Sequence, residues 1–171
     1  MASSRSRWLR FLPDGLVLGL ATLGPLGRFL PAPGTWGSLV GVLLYAAFFR
    51  GSGSGALLVG TALAAWVAAG LCGEAEVRLR QKDPGGVILD EVIALPLCFL
   101  GWGELAGSHP PLLVLIAGFS LFRYYDIFKP LGISRLQQLP GGWGVVGDDL
   151  GAALATAATL HVGHWVWLAL R

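Results

Sequence analysis

From Ala56 to Cys72 the chain runs for 17 residues without a single charge. Coiled as a helix at ~1.5 Å per residue, that stretch is roughly 25 Å long, most of the way across a bilayer core of roughly 30 Å. Further apolar runs cover Trp36–Phe49, Val87–Trp102, Pro111–Phe128 and Val145–Leu170. Hydrophobic residues make up 54% of the 171, and charged residues only 13%, about half the usual share of a soluble domain. So few charges cannot cover a globular surface, and lipid is expected to cover much of it. The expectation is an all-α integral membrane helical bundle, with about four transmembrane helices and an N-terminal interfacial helix. A disordered chain and a disulfide scaffold are excluded. The net charge of +2 is small and the basic residues are scattered, which argues against a nucleic-acid partner. Cys72 and Cys98 lie in apolar runs without a CxxC, so neither a redox motif nor a zinc site is indicated.

The first residues are basic (Arg5, Arg7, Arg10), and the apolar stretch Phe11–Leu23 contains Asp14 and no clean cleavage site. Residues 1–23 are therefore read as a basic N-terminus with an interfacial or partly inserted helix, and residues 24–171 as the main domain. Gly24–Thr35 carries three prolines and three glycines in twelve residues and predicts a loop rather than a regular helix. Trp36–Phe49 predicts a short or tilted helix, and Arg50–Gly55 a flexible connector. With the N-terminus in the cytoplasm, nine Lys and Arg (Arg5, Arg7, Arg10, Arg28, Arg78, Arg80, Lys82, Lys129, Arg135) fall inside, against Arg50 and Arg171 outside. That asymmetry follows the positive-inside rule.

The same orientation puts Pro33-Gly34-Thr35, Asp90-Glu91, Asp126 and Asp148-Asp149, from four separate segments, at one inner membrane face. Each has a bland reading. Asp148-Asp149 could cap a helix start, Asp126 could pair within its helix with Arg123 and Lys129, and Thr35 and Ser38 could be N-cap hydroxyls. Together, five carboxylates at one depth repel one another unless cations compensate. Arg123 and Lys129 offset two. A divalent ion is the natural further compensation, and hard oxygen donors without His or Cys favour Mg²⁺. His161 and His164 lie deep in the last run and are read as structural or outer-face residues.

Four motifs then occur in order: Pro33-Gly34-Thr35-Trp36-Gly37-Ser38-Leu39; Asp83-Pro84 leading into Val87-Ile88-Leu89-Asp90-Glu91-Val92; Phe122-Arg123-Tyr124-Tyr125-Asp126-Ile127-Phe128-Lys129-Pro130; and Gly141-Gly142-Trp143-Gly144-Val145-Val146-Gly147-Asp148-Asp149. This set resembles the phosphatidylglycerophosphatase A family of bacteria, over nearly the whole chain from about Gly24. The resemblance implies a Mg²⁺-dependent phosphatase of phospholipid biosynthesis in the bacterial cytoplasmic (inner) membrane, multi-pass, with its active site facing the cytoplasm. The implied reaction converts phosphatidylglycerophosphate to phosphatidylglycerol and inorganic phosphate.

On that reading Asp90, Glu91, Asp126, Asp148 and Asp149 are catalytic. Asp90, Glu91, Asp148 and Asp149 hold the metal, and Gly34, Thr35, Ser38, Arg123 and Lys129 bind the substrate. Attack by water and attack by a carboxylate both remain open. Backbone amides near Gly34-Thr35 and Gly141–Gly144 could add phosphate contacts. Where relatives usually carry a bulky aliphatic residue before the paired aspartates, this chain has Gly147. The rival reading is a cation transporter or channel using the carboxylate cluster, which calls for charges spread through the membrane depth. A transferase of the CDP-alcohol type calls for a DG…AR…G…D…D pattern that the chain lacks.

Overall fold

The computed structural model describes Leu9 and residues 11–171. The basic residues Arg5, Arg7 and Arg10 lie outside the described residues. Every regular element is helical, with no strand among the described residues. In chain order these are α1 (Asp14–Ala21), α2 (Pro25–Phe29), α3 (Pro33–Leu44) widening into a π turn at Tyr45–Phe49, α4 (Ser54–Leu79), α5 (Leu89–Ala94) tightening into a 3₁₀ segment at Leu95–Phe99, α6 (Trp102–Ser108), α7 (Pro111–Phe128), a 3₁₀ stretch at Ile133–Gln138, and α8 (Trp143–Ala169). Prolines set several boundaries. Pro33 and Pro111 open α3 and α7, where a missing N–H costs nothing. Pro130 follows Lys129, which closes α7 in the left-handed region at φ 45°.

Five segments run between the two ends of the bundle. At one end the start of α3 meets the start of α5, where a Cβ on Gly34 would lie 2.2 Å from Glu91 Oε1. The C-terminal part of α4 meets the start of α8, where a Cβ on Gly142 would lie 1.8 Å from Ala69 O. At the other end Gly101 N–H donates to Ser54 Oγ (3.3 Å), Tyr45 stacks on Phe99, and His161 bonds Leu100 O (2.8 Å). The three histidines gather there, with His109 and His164 3.1 Å apart. The α5–3₁₀ segment passes through the middle, with Ala94–Phe99 wholly buried against α3, α7 and α8.

The predicted run Val87–Trp102 is therefore not one membrane-length helix. Pro96 stands where α-helix gives way to the tighter 3₁₀ turn, and surrounding helices enclose the irregular backbone. The predicted loop Gly24–Thr35 is also partly helical. It holds the short α2, and Pro33–Thr35 form the first turn of α3. The expected interfacial helix is the eight-residue α1, about 12 Å long and too short to cross a bilayer. It buries Val17 and Ala21 and is tied to α4 by Arg78, which bonds Asp14 (2.8 Å), Glu74 (3.1 Å) and Leu9 O (2.9 Å).

Among the described residues two helices, α4 and α7, are long and apolar enough to cross a membrane, and the expected count of about four is not reached by length and composition. Leu63, Trp66, Leu112, Ile116, Val162 and Trp165 are all more than half exposed on the outward faces of α4, α7 and α8. Apolar surface of that extent fits contact with lipid better than with water.

Candidate active site

The site begins with a stripe of small residues. Gly34, Gly37 and Gly41 recur at i, i+3 and i+7, one face of α3. A Cβ on Gly37 would come within 2.7 Å of Glu91 Oε2, and one on Gly41 within 2.9 Å of Leu95 Cβ. Only glycine lets α5 come this close, and the approach brings Glu91 against the first turn of α3. Ser38, fully buried on the same face, lies within donating distance of Gly34 O (2.8 Å) and Glu91 Oε2 (3.2 Å).

Arg123, near the end of α7, joins these pieces. Its Nη1 donates to Ser38 Oγ (3.2 Å), Glu91 Oε1 (3.2 Å) and Asp126 Oδ2 (2.8 Å). Lys129 continues the chain of charges, 3.7 Å from Asp126 Oδ1 and hydrogen-bonded to Asp148 Oδ2. Burial opposes the Lys129 charge, but the Asp148 bond and the neighbouring carboxylates outweigh it and raise its pKa, so it serves as a fixed cation. Burial pushes Glu91 up to about 7 despite the neighbouring Arg123. Asp90 is raised well above the usual range by burial and by Glu91 beside it.

These groups line a cavity of about 130 Å³ walled by Asp83, Asp90, Glu91, Asp126, Lys129, Asp148 and Asp149, with Gly85, Val87 and Val145 completing it. Asp90, Asp148 and Asp149 are each at most 5% exposed. Among the described residues no hydrogen bond or ion pair reaches the Asp149 carboxylate, and Asp148 Oδ1 is buried without a partner. Six carboxyl groups face one lysine, with Arg123 behind. A second cavity of about 250 Å³ adjoins, sharing Asp83 and Val145 and adding Glu76, Lys82, Gln137, Gly141 and Gly144.

The structure thus brings Asp90, Glu91, Asp126, Lys129, Asp148 and Asp149 to one cavity, with Gly34, Ser38 and Arg123 behind Glu91. Thr35 does not join them. It is exposed on the first turn of α3 and lines neither cavity. Asp148-Asp149 do not cap α8, which starts five residues earlier at Trp143. Asp126 does make the intrahelical bridge to Arg123 and also faces the cavity. Gly142 packs closely against α4, while Gly141 and Gly144 line the larger of these two cavities. Asp83, absent from the expected site, lines both cavities. The Asp83-Pro84 pair leading into the second motif was the signal for it.

Among the described residues no three His, Cys, Asp or Glu side chains are already drawn together as a metal cluster. The donor set nevertheless fits a hard cation. Among the described residues Asp148 Oδ1 is buried without a partner, every acidic donor is oxygen, and the carboxyl groups outnumber the local cations. Such an arrangement suits binding a phosphate group together with a divalent ion.

The family described as phosphatidylglycerophosphatase A matches residues 19–164. The chain belongs to that family. Membership makes this phosphatidylglycerophosphatase A family protein an enzyme, a phosphatase of lipid metabolism. The chain is similar to phosphatidylglycerophosphatase A of Haemophilus influenzae, 30% identical over 142 residues that cover 82% of this chain and 84% of the relative. It is also similar to a proposed phosphatidylinositol-3-phosphatase of Bacteroides thetaiotaomicron, 30% identical over 138 residues covering 79% and 85%. No solved structure matches the chain.

Proposed function

We propose that this protein hydrolyses the terminal phosphate monoester of phosphatidylglycerophosphate, giving phosphatidylglycerol and inorganic phosphate, with Mg²⁺, at the cytoplasmic face of the bacterial inner membrane. The observation that carries the reading is the meeting of the charged residues of three motifs, Asp90-Glu91, Asp126 with Lys129, and Asp148-Asp149, around one cavity. Their concentration at one end of the bundle favours a reaction centre over an ion path. The excess of basic residues in the links at that end supports the cytoplasmic orientation.

Asp90, Glu91, Asp148 and Asp149 would hold Mg²⁺, which when bound neutralises and polarises phosphoryl oxygens. Lys129 and Arg123 supply fixed positive charge where negative charge grows in the transition state. Asp126 holds both cations in place through its bridges of 2.8 and 3.7 Å. A water oxygen bonds to phosphorus as the phosphorus–ester oxygen bond breaks. A carboxylate of the cavity takes the proton from that water and passes it to the departing alkoxide oxygen, which leaves as the alcohol. Gly34 and Ser38 act by fixing Glu91. The acyl chains stay outside the carboxylate cavity, and only the head group enters the polar end.

Phosphate release by the purified protein in detergent, with Mg²⁺ and with chelator, tests this. The substrates are phosphatidylglycerophosphate, phosphatidic acid and phosphatidylinositol 3-phosphate, the last because one relative carries that name. Chelator-sensitive release, greatest from phosphatidylglycerophosphate, is expected. Greater release from either other lipid overturns the substrate, and metal-independent release overturns the cofactor.

A further inference from the structure

A third cavity stands on the other side of α5 from the carboxylates, and its chemistry is opposite. About 310 Å³ in volume, it lies between the end of α3, the first half of α4 and the α5–3₁₀ segment. Its walls include Leu44 and Phe49, Leu57, Gly60 and Ala64, and Ile93 and Pro96, with Thr61 the one hydroxyl. The volume lies at the lower end of the range of roughly 300–1,000 Å³ typical of small-molecule sites.

Its placement singles out one occupant. The helix α5 is shared between the two cavities. Asp90 and Glu91 face the polar one, while Val92, Ile93 and Pro96 face the apolar one. The groove runs along α4 from Ala64 back to Ala56, eight residues or about 12 Å. That direction leads away from Gly73, where α4 meets Gly142 at the polar end. On α3 the order repeats, with Gly34 at the carboxylates and Leu44 and Phe49 at the groove. An amphiphile whose head enters the carboxylate cavity has its hydrocarbon directed along this groove.

We propose that the groove between α3, α4 and α5 is the subsite for an acyl chain of the lipid substrate, and that its filling positions the phosphate. This rests on the proposed phosphatase reaction. Gly60 is the point at which to test it. Gly60 lines the groove and a Cβ there meets nothing within 4 Å, so a large side chain has room at the groove wall without colliding with protein. Gly60→Trp fills the space. Gly60→Ala adds only a methyl and favours the helix.

The experiment measures kcat and KM of the full chain in detergent on long-chain phosphatidylglycerophosphate and on its deacylated, water-soluble head group. For Gly60→Trp, kcat/KM on the long-chain lipid should fall about tenfold or more, the equivalent of losing contact with a few methylenes. Turnover of the deacylated compound should be unchanged, and Gly60→Ala should match the parent on both. A photoreactive acyl chain on the substrate should label residues 56–64 and 92–96, and the Gly60→Trp variant should lose the label.

Equal loss on both substrates would mean damage to the fold and would overturn the subsite, as would unchanged long-chain kinetics. Equal labelling by phosphatidylcholine would make the occupant bulk lipid. A change of oligomeric state in Gly60→Trp would make it a second copy, and either result overturns the proposal. Failure of the phosphatase reading looks different, because the parent protein would then release no phosphate from either substrate.

Discussion

Arg123 offers the sharpest test of how the site is built. Its Nη1 serves Asp126 at 2.8 Å, Glu91 at 3.2 Å and Ser38 at 3.2 Å, and the three charged side chains are only 13–19% exposed. Arg123→Ala removes one cation and leaves two carboxyl groups in a place poor in water. Breaking a buried pair from one side costs about 3–5 kcal/mol. Some access to water, and the readiness of Glu91 to protonate near 7, bring the expectation to the lower end, about 3 kcal/mol. For a chain of this size that is a fall in Tm of roughly 6–12 °C.

The cost should be larger at pH 8 than at pH 5.5, because at low pH the stranded Glu91 neutralises itself. Glu91→Gln in the Arg123→Ala background should recover part of the loss, since it removes one of the stranded charges. Thermal unfolding of the four proteins of this cycle in one detergent, at both pH values, gives the coupling directly. A loss below about 1 kcal/mol at pH 8, the worth of an exposed pair, would refute the idea that Arg123 holds the acids together.

Asp149→Asn should abolish phosphate release even at saturating Mg²⁺ while leaving Tm near the parent's, because no bond of the Asp149 carboxylate is lost; full turnover would return the residue to a structural role. Burial raises Glu91 from 4.5 to about 7, so between those values the folded chain holds more protons than the unfolded one, and in chelator this group makes stability fall as pH rises through that window. Glu91→Gln should flatten that slope in a series of melts. Metal binding to the same carboxylates should release protons at neutral pH, measurable by titration calorimetry in buffers of differing ionisation enthalpy. Two glycine variants should separate activity from stability. Gly34→Ala crowds the far ends of the Glu91 and Arg123 side chains, which can shift, and should lower kcat at a smaller cost in Tm than Gly142→Ala, whose Cβ collides with Ala69 O and should destabilise by at least about 2 kcal/mol.

The charged positions of the site were legible because carboxylates in apolar runs are too costly to be incidental. Asp90, Glu91, Asp126, Asp148 and Asp149 stood out before any geometry was known. Their partners were half legible. The i, i+3 spacing gave Arg123 and Lys129 to Asp126, but the bond from Lys129 to Asp148 depends on a left-handed turn at the end of α7. The exposure of Thr35 was not legible, because a loop reading of Pro33–Thr35 leaves its direction open, whereas the structure puts it on the first turn of α3. The run Val87–Trp102 misled through composition alone. Its hydrophobicity reflects burial inside the protein, and Pro96 marked where the helix breaks. The glycines of α3 read as small residues, but which neighbour they admit depends on the approach of α5.

That broken central segment also bears on how the protein is made. From Leu89 to Phe99 it has eleven residues, begins with two acids beside one another and changes helix type midway. A bilayer would not retain such a piece by itself, being too short and too charged. Its place has to be prepared by chain synthesised before it, α3 and α4, and sealed by chain synthesised after it, α7 and α8. Asp90 and Glu91 are thus held in position by the segments around them. A chain that stops before α7 and α8 therefore carries the Asp90-Glu91 motif without the residues that complete the cavity, Asp126, Lys129, Asp148 and Asp149.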